Sequence, residues 1–310
     1  MSLLAPVERA YILDGVECDI RADGRNRLDA RHLTLETGMI TQASGSCRVS
    51  VDGGTDVLVG IKVEIETIDP NPEGDAEVSA FDETAETIDE DRRDKGRIVC
   101  SVECSPSLSA VLSQRQVEDL CIEYSQYMTR LLNSPEGGLD LKALCIIPGS
   151  TCFVVYIDVL ILDYGGNLLD IIFLATRGAF HNTRMVKATA EQLDGQVAFD
   201  VSEEECEVVR GWENLPIVVT LSKIGRRHIL DASPLEELCA EARVYVAVNE
   251  RGRICSIQKS GEGGIEPRGL SDMVQTAKQL APGVFKKVGN VLAEEARRIQ
   301  DGQTPIGYYN

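Results

Sequence analysis

The sequence predicts a mixed α/β (α+β) fold with one large core, and three features carry that expectation. Apolar and polar residues alternate at strand spacing in several runs, residues 108–132 carry an apolar stripe at helical spacing, and residues 168–180 are apolar on nearly every side. At 310 residues, with 43% hydrophobic and 26% charged side chains, the chain is long enough for a sizeable core. That composition excludes a largely disordered chain, a collagen and a disulfide miniprotein. No window approaches the ~20 uncharged apolar residues of a membrane span, and the first residues lack a basic segment followed by an apolar one. A soluble, intracellular chain without a membrane partner is expected.

Residues 2–18 suit an amphipathic helix with Val7, Ala10, Tyr11 and Asp14 at helical steps. A polar segment, 21–26, follows, and then strands at 32–36, 45–51 and 56–66, the second ending in the hairpin turn Asp52-Gly53-Gly54. In the third strand Val57, Val59, Ile61, Val63 and Ile65 form a strictly apolar face. Residues 68–95 are acidic and poor in large apolar side chains, which reads as a long loop or insertion. Residues 97–103 form another strand. The helix 108–132 places Val117, Leu120, Cys121, Tyr124, Met128 and Leu131 on one stripe, and Asn133 to Gly138 stop it. Strands at 139–147 and 151–162 lead through the turn 163–167 into the buried helix 168–180. Residues 184–214 carry little signal. Strands 216–224 and 228–230, a short helix at 234–240 and a hairpin of 243–248 with 254–258 follow. Two closing helices, 270–281 and 284–299, are separated at Ala281-Pro282-Gly283, because proline removes a helical donor and clashes with the preceding turn. No Pro/Ser linker appears. The expected division is residues 1–224 with the acidic loop 68–95, then 225–300 packing on the same core, then a tail, 301–310.

Fifty acidic against 31 basic residues give a formal charge of −19, which excludes an autonomous nucleic-acid clamp but not a local basic groove. Ten cysteines lack Cys-x-x-Cys spacing and several sit inside apolar runs, so they read as reduced core residues rather than zinc ligands or disulfides. Three histidines, none paired at helical spacing, give a metal hydrolase or a Cys/His nucleophile little support. No glycine-rich spot has the spacing of a P-loop or a dinucleotide fingerprint.

Three clusters remain as candidates. At Gly165-Gly166-Asn167 a strand ends and a buried helix begins; backbone N–H groups there would either hold an anion or simply make a tight turn. Asp231, Glu236 and Glu237 follow a strand and suit Mg²⁺ binding or acid/base work, but Ser233-Pro234-Leu235-Glu236 also reads as a capping box. Arg21, Asp23, Arg25, Asp29 and Arg31 alternate in sign, as an anion contact or as a self-paired loop. Arg92, Arg93, Lys95 and Arg97 form the one basic run of phosphate-binding character, at the end of the acidic stretch.

Taken in order, these motifs resemble the ribonuclease PH family. Arg21-Ala22-Asp23-Gly24-Arg25, Asp29 and Arg31, then Ala43-Ser44-Gly45-Ser46 and Gly54-Thr55, look like its opening, and Asp158 to Asn167 looks like its second landmark. Val102 to Pro106 and Gly165 to Asp170 are similar to the branch found in the eukaryotic RNA exosome ring. The resemblance runs from about Ala10 to Ile299. It implies two β-α-β-α halves with mixed sheets, and helices between and around them.

It further implies a subunit of a hetero-hexameric ring of related chains, with S1/KH cap subunits above and a separate 3′→5′ nuclease beneath. RNA would pass through a composite channel, in ribosomal RNA processing and RNA decay. Phosphorolytic members continue the glycine turn with Thr-Arg, which holds phosphate. Here Asn167 and Leu168 stand there, leaving Gly165, Gly166, Asn167 and Leu168 as a degenerate phosphate site. Active members carry a second aspartate close behind the first, whereas Asp231 is followed by Ala232-Ser233-Pro234, a degenerate metal site. The implied protein is therefore non-catalytic, without metal or cofactor, in nucleus, nucleolus and cytoplasm. The alternative is an active phosphorolytic exoribonuclease using phosphate and Mg²⁺, with Asp231 and Glu237 as ligands. Positions that present arginine to RNA in archaeal inactive relatives fall near Ile122 and Gln126, so RNA contact is assigned to Arg92, Arg93, Lys95 and Arg97.

Overall fold

The computed structural model describes residues 4–67, 94–106, 108, 113–193 and 196–300. Most of the acidic segment 68–95, with Arg92 and Arg93, and the tail 301–310 lie outside the described residues. Strands β1 (Leu33–Thr37), β2 (Gly45–Val51), β3 (Thr55–Thr67), β4 (Arg97–Cys104), β5 (Cys145–Ile147) and β6 (Thr151–Asp163) make one sheet. Its order is β1-β2-β3-β6-β4, with β5 also pairing with β6. The pairs β1–β2, β2–β3 and β3–β6 are antiparallel, whereas β4 lies parallel to β6, so the sheet is mixed. The Asp52–Gly54 turn sets the β2–β3 register at Val51 opposite Thr55. That register brings Val57 and Val59 opposite Val49 and Cys47, on a fully buried face.

Helix α2 (Gln114–Leu132) begins later than expected and covers β4; of the expected stripe it buries Tyr124, Met128 and Leu131, joined by Tyr127 and Leu132, while Val117, Leu120 and Cys121 are half-buried. Helix α3 (Leu168–Asn182) is buried from Leu168 through Phe180, because it lies against β2 and β3 on one side and a second sheet on the other. Full burial of each large side chain there contributes roughly 1.5–3 kcal/mol. The second sheet has the order β10-β9-β11-β12, from β9 (Ile217–Ile224), β10 (Arg227–Leu230), β11 (Ala242–Val248) and β12 (Ile254–Ser260). Helix α4 (Pro234–Cys239) follows β10, and helix α5 (Pro267–Gln300) packs over β9, β11 and β1. One apolar cluster runs from Leu35 to Leu292 through both sheets.

Four local expectations change. Helix α1 (Pro6–Glu17) buries Ile12 and Val16, while Val7 (79% exposed) and Tyr11 (68%) face outward. Its docking side is set by Ile224, Ile229, Ala232 and Cys239, which these residues meet. Residues 139–144 are not strand: Leu141 N–H donates to Leu139 and Ala143 N–H to Asp140 in tight local turns, while Asp140 N–H reaches across to Arg210. Residues 184–208 hold two strands, β7 (Arg184–Leu193) and β8 (Gln196–Val208), which among the described residues pair only with each other. Finally, α5 passes through Pro282 unbroken. Met273, Ala277, Ala281, Val288 and Leu292 continue one buried stripe past it, and Pro282 lies on the exposed face. Packing along that stripe outweighs the local cost of the proline.

Candidate functional site

The glycine turn and the Asp231 segment meet at the start of α3, as a functional site requires. Two glycines are needed there for packing. A Cβ on Gly165 would stand 2.3 Å from the Gly53 carbonyl oxygen, and one on Gly166, at φ +84°, would stand 2.3 Å from that of Ala232. Thr55 closes the turn, its hydroxyl donating to Gly166 O at 2.7 Å and accepting from Gly165 N–H at 3.2 Å.

One donor that an anion would use is already engaged. Asn167 N–H donates to Glu237 Oε1 at 2.9 Å, so the protein's own carboxylate sits at the start of α3. Glu237 also accepts from the Tyr164 hydroxyl and lies 3.5 Å from Arg243. Leu168, where a phosphate-binding side chain would be needed, is 2% exposed and packed in the core.

Asp231 is equally committed. Its Oδ1 accepts from Arg31 Nη2 at 2.6 Å and Asn167 Nδ2 at 3.2 Å. Its Oδ2 accepts from Arg31 N–H at 2.7 Å, Arg31 Nε at 2.9 Å and Arg25 Nη1 at 2.9 Å. Burial pushes this carboxyl up, yet Arg31 and then Arg25 outweigh it and hold it below the usual carboxylate range. Arg31 also donates to Gly165 O at 2.6 Å and Gly166 O at 3.2 Å, tying the two segments into one block.

Glu236 takes the capping role its spacing predicts: Ser233 N–H donates to its Oε2 at 2.8 Å. Arg21 Nε meets its other oxygen at 2.8 Å, while Arg21 Nη1 donates to Leu230 O at 2.9 Å. The alternating-charge segment is thus a strap whose arginines bind the Asp231 region. Asp170, which sequence reasoning did not select, accepts from Thr220 N–H and Asn167 Nδ2, both at 3.0 Å, and from the Thr220 hydroxyl. Its signal was a lone acid in an otherwise apolar helix.

Beside this block lies a cavity of about 660 Å³ between α2 and the β11–β12 side, near Glu237 through Arg243. Asp119, Glu123, Glu241 and Glu262 line it, and its arginine, Arg243, faces Glu237. A phosphodiester entering it would meet negative charge. Among the described residues, no group of three or more His, Cys, Asp or Glu side chains is arranged to hold a metal ion. Of the basic run, Lys95 is half-buried and Arg97 is exposed, with Nη2 2.9 Å from Glu66.

Residues 29–185 match the model of the 3′ exoribonuclease family, domain 1, and residues 214–279 match that of domain 2. A Dictyostelium discoideum protein named as an exosome complex exonuclease, RRP42, is 33% identical over 95% of this chain and 99% of its own. The exosome complex component Rrp42 of Methanothermobacter thermautotrophicus is 31% identical over 92% of this chain and 96% of its own. The fold matches a solved Archaeoglobus fulgidus exosome with RNA bound to the active site. That match has a TM-score of 0.71 at 23% identity, over 91% of this chain and 97% of the other.

Proposed function

The chain belongs to the 3′ exoribonuclease family, in which ribonuclease PH supplies the fold, and on that premise we propose that it is a non-catalytic subunit of an RNA exosome ring. Its relatives' names point to the exosome, and their similarity spans nearly the whole of both chains. The observation that carries the non-catalytic part is the self-satisfied site. Asp231 is held by Arg25 and Arg31, Asn167 N–H by Glu237, and the core holds Leu168. Electrostatic stabilisation of a reacting phosphoryl group needs donors and cations aimed at open space. Here those groups are aimed at each other.

In this reading other family members complete a hetero-hexamer, S1/KH subunits cap it, and a separate 3′→5′ nuclease lies beneath. The subunit contributes wall to a channel used in RNA processing and decay, including that of ribosomal RNA. Lys95 and Arg97, with Arg92 and Arg93, are its proposed RNA contacts, and nucleus, nucleolus and cytoplasm its proposed locations.

The test of the catalytic part is direct. Purified chain is incubated with 3′-hydroxyl RNA, inorganic phosphate and Mg²⁺, and nucleoside diphosphates are measured. None are expected. Their release, lost on Asp231→Asn, would establish the phosphorolytic enzyme with Asp231 and Glu237 as metal ligands.

A further inference from the structure

Two thiols meet where β4 ends. Cys104 is the last residue of β4, and Cys121 lies on α2 one turn before Tyr124 and two before Met128, on the face those residues bury. Their Sγ atoms stand 3.3 Å apart, although 17 positions separate them in sequence. Both elements are anchored there. Cys104 pairs with Ile161 at the end of the β4–β6 ladder, and Tyr124, Tyr127 and Met128 hold α2 in the core. The fold itself therefore keeps the sulfurs together, which makes their reaction with each other effectively unimolecular.

A disulfide places its sulfurs roughly 2.05 Å apart, so an approach of about 1.2 Å separates this pair from a bond. Both thiols are half-buried, within reach of a small oxidant, unlike the buried Cys47, Cys100, Cys152 and Cys239. Burial, and then Cys121 itself, pushes the Cys104 thiol up to about 12. Cys104 thus keeps its proton, and the first attack falls to Cys121.

We infer that Cys104 and Cys121 form a redox modification site, at which hydrogen peroxide converts the dithiol into a reversible disulfide that staples α2 to the edge strand β4. The Cys121 thiolate attacks one peroxide oxygen: an S–O bond forms, the O–O bond breaks, and the leaving hydroxide takes a proton to become water. The Cys104 sulfur then attacks the sulfenic sulfur. The S–S bond replaces the S–O bond, and the Cys104 proton leaves with the departing hydroxide as a second water. Two thiols lose two electrons and two protons, and one peroxide becomes two waters. The inference rests neither on ring assembly nor on RNA.

The reduced full chain, freed of reductant, is exposed to hydrogen peroxide until the exposed Cys18 and Cys206 are oxidised, then alkylated and mapped by peptide mass spectrometry without reduction. Cys104 and Cys121 are expected in one linked peptide pair that dithiothreitol separates. In Cys104→Ser the reaction is expected to stop at the Cys121 sulfenic acid, which dimedone traps roughly tenfold more than in the parent. Cys104 and Cys121 still reduced, or both carried to sulfinic acid, overturns the proposal. So does a bridge between Cys145 and Cys152, opposite each other across β5 and β6, in place of theirs. Equal dimedone labelling of Cys121 in parent and variant overturns it too.

Discussion

The Arg31 guanidinium meets the Asp231 carboxylate side-on, although the two lie 200 residues apart in sequence: Nη2 is 2.6 Å from Oδ1 and Nε is 2.9 Å from Oδ2. The same arginine holds the carbonyl oxygens of Gly165 and Gly166. One side chain from the N-terminal strap thus joins the glycine turn to the Asp231 segment.

Replacing that side chain tests the link. Arg31→Met removes the bidentate partner of a buried carboxylate, an event that costs about 3–5 kcal/mol. Denaturant unfolding is expected to show a loss of that size, and Asp231→Leu in the same chain is expected to recover much of it. An Arg31→Met chain as stable as its parent would mean that the pair holds nothing together.

Two neighbouring carboxylates give stability limbs of opposite slope. Burial pushes Asp170 up to about 7, against the hydrogen bonds from Thr220 and Asn167. In unfolded chain it titrates near ~3.9, so between about pH 4 and 7 the native state keeps a proton that the unfolded state releases. Stability contributed by Asp170 therefore falls as pH rises through that window and levels off above it. Asp231, held low, behaves the other way: its contribution is complete above about pH 4 and is lost as pH falls further. Urea midpoints against pH are expected to flatten between 4 and 7 in Asp170→Asn, and below 4 in Asp231→Asn.

Restoring the missing side chains is not expected to restore activity. Asn167→Thr with Leu168→Arg rebuilds the Thr-Arg sequence, but Leu168 is buried, and Asp231 and Glu237 remain engaged. A buried unpaired charge destabilises by several kcal/mol. The double variant is expected to unfold at lower denaturant and to release no nucleoside diphosphate from RNA and phosphate. Measurable phosphorolysis would show that two side chains were all the site lacked.

The close packing of α3 predicts a fourth effect. A Cβ at Gly178 would stand 2.5 Å from Cys47 Sγ and 3.2 Å from its Cβ. Gly178→Ala is expected to cost about 1–3 kcal/mol through overpacking, despite alanine's better helix propensity. Cys47→Ala in the same chain is expected to relieve it. Additive losses in the double variant would show that the two positions do not compete for space.

The legible parts of this fold are those whose pattern and burial agree. β2 occupies 45–51 as its alternation and turn predict, and α3 is buried on every side as its composition predicts. The β7–β8 hairpin escaped because, among the described residues, it pairs only with itself, and a run such as Ser202-Glu203-Glu204-Glu205 shows no apolar face in the sequence. The direction of α1 was hidden because Val7 and Tyr11 are as apolar as Ile12 and Val16, and only the partner surface chooses between them. At the site, the capping role of Glu236 could be read from local spacing. The pairing of the strap's arginines with Asp231 and Glu236 could not: each cluster showed its charge, and only the fold brings them together. Glu237 at the start of α3 is a contact of the same long-range kind.

The central claim is that this chain works as one part of a ring. Native mass spectrometry of the tagged protein drawn from its own cells tests that most directly. The account predicts a hetero-oligomer of nine or more different subunits, on the order of the ring plus its caps, containing other members of the 3′ exoribonuclease family. A lone chain or a homo-oligomer would contradict it and return attention to Asp231 and Glu237 as an active site.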